Sequence, residues 1–319
     1  MCFVYFVVTM PSVAVIDIGS NSIKILVAAA APAGGLKVLA SRTLDARISA
    51  GISQAAPKLS EEGMARGLDS IRTLLADAAP FAPAHTVLVA TSAVRDASNG
   101  PEFRERVRAA TGQTIRILTG DEEANLIGRG LTCDPALASL RDFYVFDLGG
   151  GSLECLAFRN RQVKQAASLQ LGCVRLTEKF VPDPAAPFSA ELSQRIAAHC
   201  AEAFDRAGFA FDLPPGSTAV GTGGTVTTVR AILASQRGVT LEAVPPDVVV
   251  STLRTLLREI GALPLAARQQ VPGLPPARAD VFPTALATLI AVADRGRFTS
   301  FRHSLFNLRY GLAAEALRS

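Results

Sequence analysis

Phe143-Tyr-Val-Phe-Asp-Leu-Gly-Gly-Gly-Ser-Leu-Glu-Cys-Leu-Ala157 joins an apolar strand to a glycine bend and then to a second strand. It reads as a hairpin built to hold an anion. Gly149, Gly150 and Gly151 remove every Cβ from the bend, so backbone N–H groups can come close to a ligand and positive φ is open to them. Ser152 adds a hydroxyl, and Asp147 and Glu154 place a carboxylate on either side of the bend. Two acids flanking a phosphate cradle make sense if a divalent cation sits between them and the phosphate oxygens. Taken alone, the stretch reads equally as a glycine-rich hairpin with two exposed acids.

A second copy strengthens the first reading. Val13-Ala-Val-Ile-Asp-Ile-Gly-Ser-Asn-Ser-Ile-Lys-Ile-Leu-Val27 aligns with it without a gap at an offset of 130 residues. Asp17 pairs with Asp147, Gly19 with Gly149 and Ser22 with Ser152. The chain therefore reads as a duplicated domain whose two hairpins grip one phosphate chain from two sides. Lys24 stands where the second copy has Glu154, so one hairpin ends in a cation and the other in an anion.

The rest of the chain sets bounds. Its 319 residues suit two domains of ordinary size, each able to bury a core. Hydrophobic residues make up 49% and charged residues 19%, a globular composition. The net charge of +4 and pI near 8.9 suit an anionic substrate. That excess is too slight and scattered for nucleic acid, and there is no Trp to stack on bases. Five cysteines without a C-x-x-C pair read as small buried hydrophobes in a reducing cytoplasm. His85, His199 and His303 are isolated from one another and from any cysteine, which leaves no zinc-ligand spacing. Met1–Met10 is apolar but too short to span a bilayer, and translation is expected to start at Met10, just before the first strand. No other apolar run suits a membrane helix.

In chain order, Leu36–Asp45 extends the first hairpin into a meander. Ser60–Leu75 is a Ser-capped helix, and Thr86–Thr91 a strand buried on both faces. Arg95 follows that strand's C-terminal end, where α/β sheets place ligand contacts. Asp121, Glu122 and Glu123 crowd three acids into the first turn of a helix. They read as dipole-compensating caps, or one of them points into the cleft as a general base. The second half repeats the order, with Arg175 near the start of its first helix. Ala219–Val229, containing Gly221, Thr222, Gly223 and Gly224, is a strand entering a glycine bend and a helix N-terminus, an anion or nucleotide seat. Val226 replaces the third small residue of a dinucleotide fingerprint, which argues against a Rossmann site. The tail from Phe282 to Leu317 reads as helical, broken near Gly296 and His303.

Six segments taken together closely resemble the exopolyphosphatase/guanosine pentaphosphate phosphohydrolase (Ppx/GppA) family. They are Asp17–Ser22, Thr91–Arg95, Leu118–Ala124, Phe146–Glu154, Leu171–Leu176 and Gly221–Thr225; Arg278-Ala-Asp-Val-Phe-Pro resembles a seventh. Asp121, Leu153 and the Asn307–Leu312 segment depart from the family pattern. The resemblance implies an α/β fold of duplicated actin-like (ribonuclease H-like) domains with a cleft between them, divided as 1–130 and 131–319, with the last helix packing back on the first domain. Long relatives append a helical domain, and this chain is similar to the short two-domain form. The resemblance further implies a homodimeric hydrolase, without nucleic-acid or membrane partners, that releases terminal phosphate from inorganic polyphosphate, with pppGpp as the alternative substrate. Within it, Gly19, Ser20, Asn21, Ser22, Gly149–Gly151, Ser152 and Gly221–Gly224 hold phosphates, and Arg95 clamps the terminal one. Asp17, Asp147 and Glu154 place Mg²⁺ or Mn²⁺, and Glu123, the acid immediately before Ala124, acts on the water. A kinase of the same superfold is the rival enzyme class, but no acceptor pocket is legible; a polyphosphate or nucleotide sensor would not need the carboxylates.

Overall fold

The computed structural model describes residues 11–32 and 34–318; the Met1–Met10 stretch lies outside them. The first half runs β1 (Ser12–Ile18), β2 (Ile23–Ala30), β3 (Leu36–Leu44), α1 (Glu61–Ala78), β4 (His85–Ala90), α2 (Ser92–Asp96), α3 (Gly100–Thr111), β5 (Ile115–Ile117) and α4 (Gly120–Thr132). The second runs β6 (Phe143–Leu148), β7 (Leu153–Arg159), β8 (Gln162–Leu169), α5 (Cys173–Phe180), α6 (Ala190–Ala207), β9 (Thr218–Thr222) and α7 (Gly224–Arg237). It continues through β10 (Asp247–Val249), α8 (Val250–Gly261), α9 (Leu265–Arg268), α10 (Phe282–Gly296), β11 (Ser300–His303) and α11 (Leu308–Ala316).

Two sheets result, ordered β3-β2-β1-β4-β5 and β10-β11-β9-β6-β7-β8. Read from the meander inward they are the same sheet: an antiparallel trio, then parallel neighbours across β1/β4 and β6/β9. The duplication seen in the hairpins thus extends to the whole architecture, a pair of actin-like α/β halves. Short strand β11 fills the break near His303 in the otherwise helical tail; it pairs with β9 through Phe301, whose buried ring packs against Phe146 and Phe298.

The layer between the sheets is built from α4 and α11. Val13, Val15, Leu26 and Ala28 of the first sheet and Val145, Leu156, Phe158 and Val220 of the second pack on Leu126, Ile127, Leu131, Leu308 and Leu312. The helices cross the halves: α4 packs on β7 and β8, whereas α11 packs on β1, β2 and β3. They meet backbone to backbone. A Cβ at Gly311 would lie 2.0 Å from the Leu126 carbonyl oxygen, and one at Gly130 would lie 2.0 Å from that of Asn307.

Gly311→Ala would therefore force the two helices apart. We expect it to lower unfolding free energy by about 2–3 kcal/mol, the upper range for overpacking. Urea denaturation measures this, and an unchanged midpoint would mean that the helices do not touch there.

Candidate active site

Alternation along the strands decides what enters the cleft. In β1, Val13 and Val15 face the helix layer, so the next residue of that row, Asp17, faces it too. The same holds for Val145 and Asp147 in β6, for Lys24 before Leu26 and Ala28 in β2, and for Glu154 before Leu156 and Phe158 in β7. Asp17 lies opposite Lys24 across its ladder and Asp147 opposite Glu154, so the two copies hold a charge pair of opposite and of like sign respectively. All four line one cavity of about 70 Å³, joined by Glu123 and Ile127 of α4.

The hairpins press directly on one another. Gly19 N–H donates to Ser22 O (3.2 Å) and Gly149 N–H to Ser152 O (3.0 Å), the same turn in both copies. A Cβ at Gly150 would lie 2.8 Å from Ser20 Cβ, and one at Gly151 2.3 Å from Ser92 Oγ. None of Gly149–Gly151 has positive φ. Their role is close approach, and the expectation of left-handed backbone there does not hold. The carbonyls of Gly149 and Gly150 accept from the N–H groups of Cys173, Val174 and Arg175 at the start of α5. The Gly150 and Gly151 N–H groups have no partner among the described residues and stay available as donors. Positive φ occurs instead at Gly223 (+86°), where a Cβ would lie 2.3 Å from Asp147 Oδ1.

Most of the expected residues meet here. Asp17, Gly19, Ser20, Asn21, Ser22, Glu123, Asp147, Gly149, Gly150, Ser152, Glu154 and Gly224 all line the cavity. Gly151, Gly221, Thr222 and Gly223 stand behind it and shape its wall. Arg95 does not line it either. Its Nη1 donates to Glu123 Oε2 (2.9 Å) and to Leu118 O (3.1 Å), and its Nε lies 3.4 Å from Asp96 Oδ1. Asp96 in turn pairs with the buried Arg175, which also donates to Gly151 O and Ile52 O.

The three acids at the start of α4 separate cleanly. Thr119 caps the helix and Glu122 closes a capping box, accepting from Thr119 N–H (2.8 Å) and pairing with Arg116; these bonds hold its carboxyl down at about 2. Asp121 is exposed. Glu123 is buried, and desolvation together with the nearby Glu154 charge pushes its carboxyl well above the usual range against the pull of Arg95.

Several cavity groups escape a motif reading. Arg278 lines the site with its Nε buried and unpartnered, as is Asn21 Nδ2, and Asn307 and Leu308 come from the start of α11. Half-buried Arg309 donates to Ile25 O (3.1 Å) and lends positive potential to Asp17 and Asp147. Burial lowers Lys24, while Asp17 and Asp147 pull it back up. Ser168 donates to Glu154 Oε1 (2.8 Å) from β8. Asn21 lies in the first hairpin motif and Asn307 and Leu308 in a segment that departs from the family pattern; of the others, the Arg278 segment and the Lys24/Glu154 contrast carried a sequence signal.

The site thus lies between two actin-like halves, where paired glycine hairpins and buried carboxylates line one cavity. The chain belongs to the Ppx/GppA phosphatase family, whose sequence model matches residues 26–319. It is 30% identical over 303 residues to a guanosine-5'-triphosphate,3'-diphosphate pyrophosphatase of Aeromonas salmonicida, covering 95% of this chain and 58% of that protein. A namesake from Photobacterium profundum is 28% identical over 313 residues, 96% of this chain and 59% of the relative. The chain thus spans about six-tenths of the length of these curated relatives. Among solved structures, an exopolyphosphatase from Cytophaga hutchinsonii superposes with a TM-score of 0.86 at 21% identity, over 96% of this chain and 98% of that one. An Aquifex aeolicus PPX-GPPA enzyme superposes at 0.76 with 23% identity, over 96% and 99%. These two share the fold.

The electrostatics carry a stability signature. Burial pushes Asp147 up to about 6 from an ordinary 3.8, and burial plus the Asp147 charge pushes Glu154 up to about 7 from 4.5. Both groups hold protons more tightly folded than unfolded. Their contribution therefore favours the fold below the unfolded values and is lost as pH rises through about 6 and 7. Relative to Glu154→Gln, the wild-type melting temperature should fall between about pH 5 and about pH 8, and parallel curves for the two proteins would contradict the assignment.

Proposed function

We propose that this chain is a metal-dependent exopolyphosphatase that hydrolyses the terminal phosphoanhydride of inorganic polyphosphate. The observation that supports this reading best is that a buried Glu123 and both glycine hairpins, the second with free N–H donors, line one cavity. A phosphoanhydride needs charge neutralisation, an in-line water and a group to accept the water's proton. Ser20, Asn21, Ser22, Gly149–Gly151 and Ser152 would hold the phosphates, with Arg278 and Lys24 adding positive charge. A buried carboxylate with a raised pKa suits Glu123 as the base. The water oxygen attacks the terminal phosphorus, its proton passes to Glu123, and the bridging P–O bond breaks to leave orthophosphate and a chain shorter by one.

Mg²⁺ or Mn²⁺ fits the donor set. Asp17, Asp147 and Glu154 are hard oxygen ligands sharing one cavity, and their raised pKa values mark carboxylates short of positive charge. Among the described residues no three metal-ligating side chains converge into a cage of their own. Mg²⁺ is commonly held through one or two carboxylates, with substrate oxygens and water completing its shell. Such an ion would neutralise charge on the phosphate oxygens. The names of the curated relatives favour pppGpp as the second substrate. Cytoplasmic residence fits the free thiols of Cys133, Cys155, Cys173 and Cys200, and among the described residues no helix is long and apolar enough to cross a membrane.

Orthophosphate release from long polyphosphate, tripolyphosphate and pppGpp, measured with one preparation and no acceptor, tests the reading. Release from none of them would refute it, and preference for pppGpp would select the alternative. Asp147→Asn should lower kcat by about a hundredfold or more, and EDTA should abolish turnover; full activity in EDTA would remove the metal.

Glu123→Gln and Glu122→Gln should part company. The first should keep its melting temperature and lose about a hundredfold or more in kcat, the scale of a missing general base. The second keeps an acceptor for the capping bond and loses only the charge facing Arg116 and the helix dipole, so it should lose at most about 1 kcal/mol of stability and keep turnover. A dead Glu122→Gln beside an active Glu123→Gln would reverse the assignment. Arg95→Ala removes the cation that holds Glu123 down, so the acid limb of the kcat profile should move to higher pH. An unmoved limb would show that Arg95 does not act on Glu123.

A further inference from the structure

One residue between β3 and α1 is held under strain by contacts to both halves of the molecule. Arg47 has φ of 37°, left-handed backbone that costs a long side chain about 1–3 kcal/mol unless its surroundings impose it. Toward the first hairpin, its N–H donates to Asn21 O (2.9 Å) and its Nε to Asn21 Oδ1 (3.1 Å). Toward the second half, Nη1 and Nη2 fork onto the Asp280 carboxylate, Nη2 at 2.8 Å, and Nη2 also donates to Ala277 O (2.7 Å). Arg66 reaches from α1 to the Arg47 carbonyl (3.0 Å).

These contacts decide how Asn21 faces the cavity. An amide that accepts at Oδ1 turns its NH₂ group the other way, and Asn21 Nδ2 is buried, without a partner, on a residue that lines the site. Flipping the amide would set NH₂ against the Arg47 guanidinium, donor against donor. At the far end of the same guanidinium, Asp280 follows the short turn that carries Arg278, whose unpartnered Nε belongs to the same cavity wall. One side chain thus fixes a phosphate donor on one half and anchors the turn bearing a phosphate-facing arginine on the other.

We propose that Arg47 is a positioning residue, latched to Asp280 of the second half, that presents the Asn21 amide to phosphate. The proposal rests on the phosphate-binding reading above. It also gives a role to the Arg278-Ala-Asp280 motif. The Arg47 and Asp280 side chains are 34% and 20% exposed, so the pair is screened less than a surface ion pair and can hold an orientation.

Calorimetric binding of orthophosphate and tripolyphosphate to the intact chain tests this without turnover. Arg47→Lys keeps the charge but cannot fork onto Asp280 while bonding Asn21. It and Asp280→Asn should each weaken orthophosphate binding by about tenfold, the scale of one charge-assisted hydrogen bond, with melting temperatures close to wild type. Combined with Asn21→Ala, Arg47→Lys should cost much less than it does alone, because it acts chiefly through that amide. Additive losses, or wild-type affinity in Arg47→Lys, would overturn the latch, as would a wild-type protein that binds neither anion. Should Arg47→Lys not fold, the Asp280→Asn/Asn21→Ala cycle decides by the same criterion. Absent hydrolysis in a protein that still shows this coupling would count against the proposed reaction alone.

Discussion

The spacing between the two halves is set by one contact, the backbone-to-backbone meeting of α4 and α11 at Gly130 and Gly311. Side chains on either glycine would widen the layer between the sheets. Every distance in the cleft depends on that layer, because the hairpins at the ends of β1 and β6 touch only when the sheets are this close. The glycines at 150 and 151 repeat the device at the cleft floor, where Ser20 and Ser92 occupy the space that their side chains would fill. The site is therefore narrow for the same reason at two levels, an absent Cβ at the helix crossing and another at the hairpin crossing.

Closeness of that kind has an electrostatic consequence. Asp17, Asp147, Glu154 and Glu123 share a desolvated cavity, and each is displaced toward its neutral form. Lys24, Arg95 and Arg309 offset part of the repulsion without removing it. Such a site is poorly matched to its own empty state and well matched to a cation and an anion arriving together, since each compensates what the other leaves unbalanced. Four buried acids in one cavity cost fold stability, the conflict expected where a site departs from local preference.

The fold was legible because it is written twice. Two ungapped hairpins and the strand-helix order after each define the duplication, and period-two alternation carries the acids to the correct face. Asp17, Asp147 and Glu154 could be placed this way before any coordinates. Glu123 could be told from Glu122 only by resemblance, since both sit in one helical turn; the discriminating fact is the capping box, which consumes Glu122 and leaves its neighbour facing inward. The position of Arg95 was half legible. Its place after β4 follows from sequence, but its pairing with Glu123 depends on α4 lying alongside. Arg47, Arg309 and Asn307 were illegible because their partners are far off in the chain, and β11 because four residues between two helices carry too little pattern. The glycine bend was assigned for the right contacts and the wrong backbone angle.

The exchange of α4 and α11 between the sheets also bears on how the chain folds as it is made. The inner face of β1, β2 and β3 is covered by residues 308–316, which follow it by more than two hundred positions. Until they emerge, the first sheet presents an apolar row to solvent and its hairpin has no wall to close against. The first half cannot complete its core as an independent unit, so contacts distant in sequence govern the late step of folding and make it slow. The nascent first half is consequently the species most exposed to aggregation, and docking of α11 is the event that ends that exposure.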